Sequence, residues 1–225
     1  MASEVTLFDW RPKAVVFDCD GLLMDTESCW TVAETELFAR RGLPFGAEQK
    51  ALVIGRSVAD AADSLAGLFG EPGGAGSIAE ELLVLVAEVV GAKAEAMAGA
   101  HAVVERVLAC AMPIAVASNS PRALLDAALA RGGFTNTFPV SIAADEVEHP
   151  KPAPDMYQRA CAMLGVPTGD TLAFEDSMTG LTSARSAGVR VVGVPTLRHD
   201  DFPADHVVGS LLDTDLLAWI SRWSR

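Results

Sequence analysis

Four short segments carry the residues whose types and spacing could do chemistry. They are Asp18-Cys19-Asp20-Gly21, Ser118-Asn119-Ser120, His149-Pro150-Lys151-Pro152 and Glu175-Asp176-Ser177. Together they offer four carboxylates, hydroxyl groups, and one lysine held between two prolines. Carboxylates brought together repel one another, and a hard cation such as Mg²⁺ relieves that repulsion. Mg²⁺ also keeps coordination positions open for phosphate oxygens, while a lysine ammonium and a helix N-terminus add positive potential. A set that is acidic in composition can therefore serve a phosphate. Taken singly, each residue has an ordinary use. An aspartate after a strand forms turns or caps helices, Ser118 and Ser120 could cap the next helix, and Lys151 could be a solvated loop residue. The order of all four segments at strand ends is what sets them apart.

Those strand ends follow from five apolar runs: AVVFD at 14–18, PIAVAS at 113–118, PVSIA at 139–143, TLAFED at 171–176 and VRVVGV at 189–194. Most do not alternate with polar residues, so both faces are read as buried, as in a parallel sheet. Helical segments lie between them. Ser120-Pro121 supplies an N-cap and a first-turn proline for Ala123–Arg131, which runs to Gly132-Gly133. Asp155–Leu164 stops at Gly165 and Met178–Ala187 at Gly188, each glycine suited to a left-handed residue after a helix. This alternation predicts an α/β fold, a doubly wound parallel-sheet (Rossmann-like) core with right-handed crossovers. In such sheets ligands bind beyond the carboxyl ends of the strands.

Between the first and second runs only helical material is apparent: 30–41 ending at Gly42, 58–68 ending before GEPGGAG (70–76), and 78–97. Residues 28–97 are read as an inserted α-helical cap domain, with 1–27 and 98–225 forming the core and hinges at Asp25–Glu27 and Ala98–His101. The glycine loop lacks the Gly-Lys-Ser/Thr ending of a phosphate loop and is read as a connector.

Composition bounds the partners. Half of the 225 residues are hydrophobic and 21% are charged, which excludes a disordered chain and allows one or two domains. A net charge of −13 disfavours nucleic acid, whose backbone needs a basic face. No apolar run approaches the roughly 18 residues of a membrane span. The start, MASEVTLFDW, lacks the basic-then-apolar order of a signal peptide, so a cytoplasmic location without membrane partner is expected. Cys19, Cys29, Cys110 and Cys161 form no C-x-x-C pair and are read as reduced, mostly buried thiols. A monomer or weak homodimer is expected.

The four segments, in their order, resemble the motifs of the haloacid dehalogenase superfamily. AVVFDCDGLLMDTE (14–27) resembles the first motif, VASNS (116–120) the second, HPKPAPDMY (149–157) the third and FEDSMTG (174–180) the fourth. The branch in question carries a helical cap after the first strand and includes β-phosphoglucomutase and small sugar phosphatases. The resemblance implies that Asp18 is a nucleophile forming an aspartyl phosphate, and that Asp20 protonates the leaving oxygen and later takes a proton from water. It implies that Ser118, Lys151 and backbone N–H groups near Asn119 hold the phosphoryl group. It further implies Mg²⁺ on Asp18, the Asp20 backbone carbonyl and Asp176, with Glu175 as a direct or outer ligand. The dehalogenases lack the second acid, so Asp20 points to phosphoryl transfer.

The function so implied is a Mg²⁺-dependent phosphatase acting on a small phosphorylated metabolite such as a sugar phosphate. A phosphomutase is the alternative, but Trp30 stands where a mutase-like histidine is expected. A receiver-like phospho-acceptor fits neither the size nor the insertion. Arg56 is a candidate to reach the substrate from the cap, and Trp30 to line the pocket or anchor the cap. Lys93 is a weaker candidate, and His199, Asp200, Asp201 and His206 sit in a stretch of turn composition without ligand spacing. His149 is read as a loop residue, and the C-terminal Arg222-Trp223-Ser224-Arg225 as following an amphipathic helix that packs one tryptophan down.

Overall fold

A computed structural model describes residues 9–53, 58–195 and 202–224. The chain enters β1 (Ala14–Phe17), turns through β2 (Met24–Asp25), and continues into the helices α1 (Glu27–Ala39), α2 (Ala47–Val53), α3 (Val58–Phe69) and α4 (Ala75–Lys93). After β3 (Glu95–Ala96) and α5 (Ala100–Ala109), strands and helices alternate: β4 (Ile114–Ala117), α6 (Arg122–Arg131), β5 (Val140–Ile142), α7 (Asp155–Leu164), β6 (Thr171–Glu175) and α8 (Met178–Ser186). The chain closes with β7 (Arg190–Gly193), β8 (His206–Val207) and α9 (Thr214–Ser221). It divides into two compact units: Met1–Asp25 with Glu95–Arg225, which holds the main sheet, and the helical Thr26–Ala94.

Among the described residues six strands form one sheet in the order β5-β4-β1-β6-β7-β8, every pair parallel. The fold is α/β, doubly wound and Rossmann-like. From β1 the chain goes on to β4 on one side, and from β6 it goes on to β7 on the other. The strand order therefore reverses between β1 and β6, and such a switch point opens a crevice at the carboxyl ends. One sheet face is lined by Val16, Ala115, Ala117, Ile142, Ala173 and Val191, buried against Met156, Tyr157, Ala160 and Cys161 of α7 and Leu181 and Ala184 of α8. Three alanines on that face let α7 sit close to the strands. On the opposite face Phe17 stacks on Phe174 at 5.1 Å between ring centroids.

In the helical unit α4 packs on both α1 and α3. Phe38 meets the edges of Phe45 and Phe69 at 5.0 and 4.9 Å, and Ile78, Leu82, Leu85, Val86 and Val90 are buried along α4. Arg41 lies over the Phe69 ring and pairs with Glu71 at 2.8 Å and Glu81 at 2.9 Å.

Several sequence expectations need correction. No strand is expected between Asp18 and Pro113, yet β2 and β3 pair antiparallel, Met24 with Ala96 and Asp25 with Glu95. Strands of two residues carry no periodicity to detect. The helix predicted to reach 97 ends at Lys93, because Ala94 turns extended into β3. With β3 tied to β2, the helical unit spans Thr26–Ala94 where the sequence pattern suggests 28–97. Ser120 does not cap α6. The helix begins at Arg122, whose backbone N–H donates to Asp145 Oδ1 at 2.9 Å, so its capping carboxylate comes from a different loop. His206, read within a turn, sits in the edge strand β8. Both C-terminal tryptophans, not one, are buried, with Trp219 and Trp223 edge-to-face at 4.8 Å.

Candidate active site

The site begins where β1 ends. The register pairs Phe17 with Phe174, so the next residue, Asp18, lies alongside Glu175, and its N–H donates to the Phe174 carbonyl at 3.0 Å. Gly21 then adopts φ +80, a left-handed conformation that costs glycine nothing, and its N–H donates to Met24 O. This tight turn keeps Asp20 beside the strand ends. Ser118 and Ser120 follow β4, and both hydroxyls donate to Asp20 Oδ2, at 2.5 and 3.0 Å. Ser118 Oγ in turn accepts from the Ser120 N–H at 3.0 Å.

Lys151 arrives from the loop before α7. Its peptide is clasped by the Asn119 side chain, which donates to Lys151 O at 3.0 Å and accepts from Lys151 N at 2.9 Å. That pair of hydrogen bonds fixes one loop against the other. The buried ammonium donates to Asp18 Oδ1 at 2.5 Å and to Glu175 Oε1 at 2.7 Å. Burial pulls the Lys151 pKa down, but Asp18 and Glu175 outweigh it and the net shift is upward, so the ammonium stays charged. Burial also pushes the Asp18 carboxyl well above the usual range; Lys151 opposes this, while Glu175, Asp176 and Asp20 push it further up. The Cys19 thiol is raised by burial and then by Asp20 and Asp18, which leaves it a packed, protonated group.

Asp18, Glu175 and Asp176 each present an oxygen within 4.8 Å of the others, and all three are buried. Lys151 pairs with two of these three carboxylates, Asp18 and Glu175, and Asp176 and Asp20 add negative charge around Asp18. In addition, Glu175 Oε2 is buried without a hydrogen-bond partner among the described residues. An orphaned buried oxygen and a carboxyl forced upward by burial and by neighbouring carboxylates both fit a divalent cation held by this donor set.

The comparisons agree with this geometry. A family model for haloacid dehalogenase-like hydrolases matches residues 12–188. The chain is 34% identical over 206 residues to Protein CbbY of Rhodobacter capsulatus, covering 85% of this chain and 90% of that one.

The chain belongs to the haloacid dehalogenase-like hydrolases.

It is an enzyme of that family. It is also 28% identical over 211 residues, 92% of its length, to the bifunctional riboflavin kinase/FMN phosphatase of Arabidopsis thaliana, of which it spans 55%. The crystal structure of CbbY from Rhodobacter sphaeroides in complex with phosphate superposes with a TM-score of 0.79 at 25% identity, over 93% of this chain and 99% of that one.

The sequence of this hydrolase singled out other residues as well. Arg56, His199, Asp200 and Asp201 fall outside the described residues. Trp30 is half-buried on the first turn of α1, and Lys93 is exposed at the end of α4. His149 is exposed and pairs with Asp155 at 3.2 Å. Two contributors carried no role in the sequence analysis. Tyr157, buried on α7, donates its hydroxyl to Glu175 Oε1. Gly180, in the first turn of α8, leaves room for the Glu175 carboxylate, since a Cβ there would lie 1.9 Å from Oε2. A lone tyrosine in an apolar helical stripe was the available signal, because its buried hydroxyl needs a partner. Gly180 left none, as a glycine three residues into a helix reads only as a weak helix former. No helix among the described residues is long and apolar enough to cross a membrane.

Proposed function

We propose that this hydrolase is a Mg²⁺-dependent phosphatase that hydrolyses a small phosphorylated metabolite, such as a sugar phosphate, through an aspartyl-phosphate intermediate. The observation that carries the reading is the separation of two acids only two residues apart. Asp18 lies in the carboxylate cluster against Lys151, whereas Asp20 is held by two serine hydroxyls. A covalent phosphoryl transfer needs that division of labour, with one carboxylate as nucleophile and the other as proton carrier.

In the first step an Asp18 oxygen attacks phosphorus and the bond to the leaving oxygen breaks, with Asp20 delivering the proton that oxygen takes up. In the second, water attacks the same phosphorus and the bond to Asp18 breaks, Asp20 accepting the water proton. Free phosphate and the original carboxylate result. Lys151 and Ser118 orient the phosphoryl oxygens, and Asn119 acts by holding the Lys151 peptide. Asp18, Asp176 and Glu175, with the Asp20 backbone carbonyl, would hold Mg²⁺, which when bound neutralises the charge gathered around the phosphoryl group. These groups address only the phosphoryl end of a substrate, so choice of the remainder is assigned to the helical unit, acting as a cap. The phosphatase part of the name of one relative, the bifunctional riboflavin kinase/FMN phosphatase of Arabidopsis thaliana, supports hydrolysis.

The test is direct. Purified protein should release phosphate from a generic aryl phosphate in Mg²⁺ and stop in EDTA; undiminished turnover in chelator overturns the metal assignment. Phosphorus NMR on a panel of sugar phosphates should show free phosphate accumulating. A second sugar phosphate forming without phosphate release would make the enzyme a mutase.

A further inference from the structure

We propose that Tyr157 is a positioning residue, whose hydroxyl anchors Glu175 for the cation and frees Lys151 to serve the phosphoryl group. The proposal rests on the phosphatase reading above. It starts from a packing observation. Tyr157 is fully buried and belongs to the apolar cluster in which α7 and α8 cover one face of the sheet. A phenylalanine would fill the same volume, so packing gives no reason for the hydroxyl. That hydroxyl donates to Glu175 Oε1, the same oxygen that accepts from Lys151 Nζ at 2.7 Å. The ammonium also sits 5.2 Å from the centre of the Tyr157 ring.

The consequence concerns how donors are shared. An ammonium has three N–H groups and no acceptor. Lys151 points donors at Asp18 and Glu175, yet the proposed reaction also asks it to bind phosphoryl oxygens. If Lys151 alone held Glu175, turning the donor it spends there toward the substrate would loosen a buried carboxylate beside Asp18. With Tyr157 as a second donor, Glu175 keeps a partner and its orientation while Lys151 turns. Gly180 completes the confinement, because its bare Cα leaves space for Oε2 where a Cβ would collide at 1.9 Å. Partners of this outer kind, which orient a ligand without touching the metal, typically change metal affinity by about 10–100-fold when removed.

Tyr157→Phe tests this, with Mg²⁺ binding measured by calorimetry and steady-state kinetics on an aryl phosphate. The variant should bind Mg²⁺ about tenfold more weakly and should raise KM more than it lowers kcat. A purely structural role predicts a lower Tm with Mg²⁺ affinity and KM unchanged, and that result overturns the proposal. Should the variant fail to fold, the wild type still decides. Tyr157 is the only tyrosine in the chain, so fluorotyrosine labelling gives one ¹⁹F resonance, which should shift on saturation with Mg²⁺; an unmoved resonance counts against the anchor. A wild type that binds no Mg²⁺ overturns the phosphatase reading and this proposal together. A wild type that binds Mg²⁺ while Tyr157→Phe binds it equally overturns the Tyr157 proposal alone.

Discussion

Each unit of the molecule sets a lysine against buried carboxylate, and the two arrangements differ in kind. In the helical unit Lys50 meets Glu34 at 2.7 Å, one charge to one, and the lysine side chain keeps 21% of its surface exposed. In the sheet unit Lys151 meets Asp18 and Glu175 with 3% exposed, and Asp176 and Asp20 add further negative charge nearby. The helical pair is complete in itself. The sheet cluster is over-supplied with negative charge and has an oxygen, Glu175 Oε2, without a hydrogen-bond partner among the described residues. A buried ion pair costs desolvation whether or not it is useful, so an unbalanced one persists where binding something else offsets that cost. The contrast separates a lysine that balances one carboxylate in a helix bundle from one set in a surplus of negative charge, as the proposed phosphatase site requires.

The comparison breaks most completely at Asp18, the proposed nucleophile. Asp18→Asn should abolish turnover and leave no phosphoenzyme on acid quenching with labelled substrate, whereas Asp20→Asn should lower kcat by about 10²–10⁴. With a leaving group that needs little protonation, the Asp20 variant should regain much of its phosphorylation rate. Near-native turnover by Asp18→Asn would sink the covalent mechanism.

Removing the two lysines sharpens the contrast next. Lys151→Met leaves a buried carboxylate cluster with no cation and should cost about 3–5 kcal/mol in denaturant melts, partly restored by Mg²⁺. Lys50→Met strands one buried carboxylate, Glu34, and should cost about 1–3 kcal/mol, with no Mg²⁺ recovery. Equal Mg²⁺ recovery in both variants would erase the distinction.

The smallest effect is one of sign. Burial raises the Glu34 pKa, with the Lys50 hydrogen bond and charge opposing. A carboxyl raised on folding contributes stability that is fully present below its ordinary value of 4.5 and is lost as pH rises through the higher folded value. The Tm of the wild type relative to Glu34→Gln should therefore grow as pH falls from neutral toward 4.5. A difference that shrinks over that range would mean the pair with Lys50, not burial, dominates.

What the sequence by itself determined is local and ordered. Five apolar runs, their terminal carboxylates and hydroxyls, and glycines such as Gly165 and Gly188 with φ of +68 and +82 were legible, because strand burial and helix stops are written over a few neighbouring residues. The helical character of the inserted segment was legible for the same reason. Tertiary structure alone decided which side chain answers which. Ser120 serves Asp20, across 100 residues of sequence, while Asp145 supplies the cap that Ser120 does not. Asn119 clasps the Lys151 peptide, and Tyr157 and Gly180 confine Glu175. The two-residue strands β2, β3 and β8 likewise exist only through their partners. Periodicity and capping act along the chain and leave a trace in it; a hydrogen bond between distant loops depends on strand order and register, which no short window of residues contains.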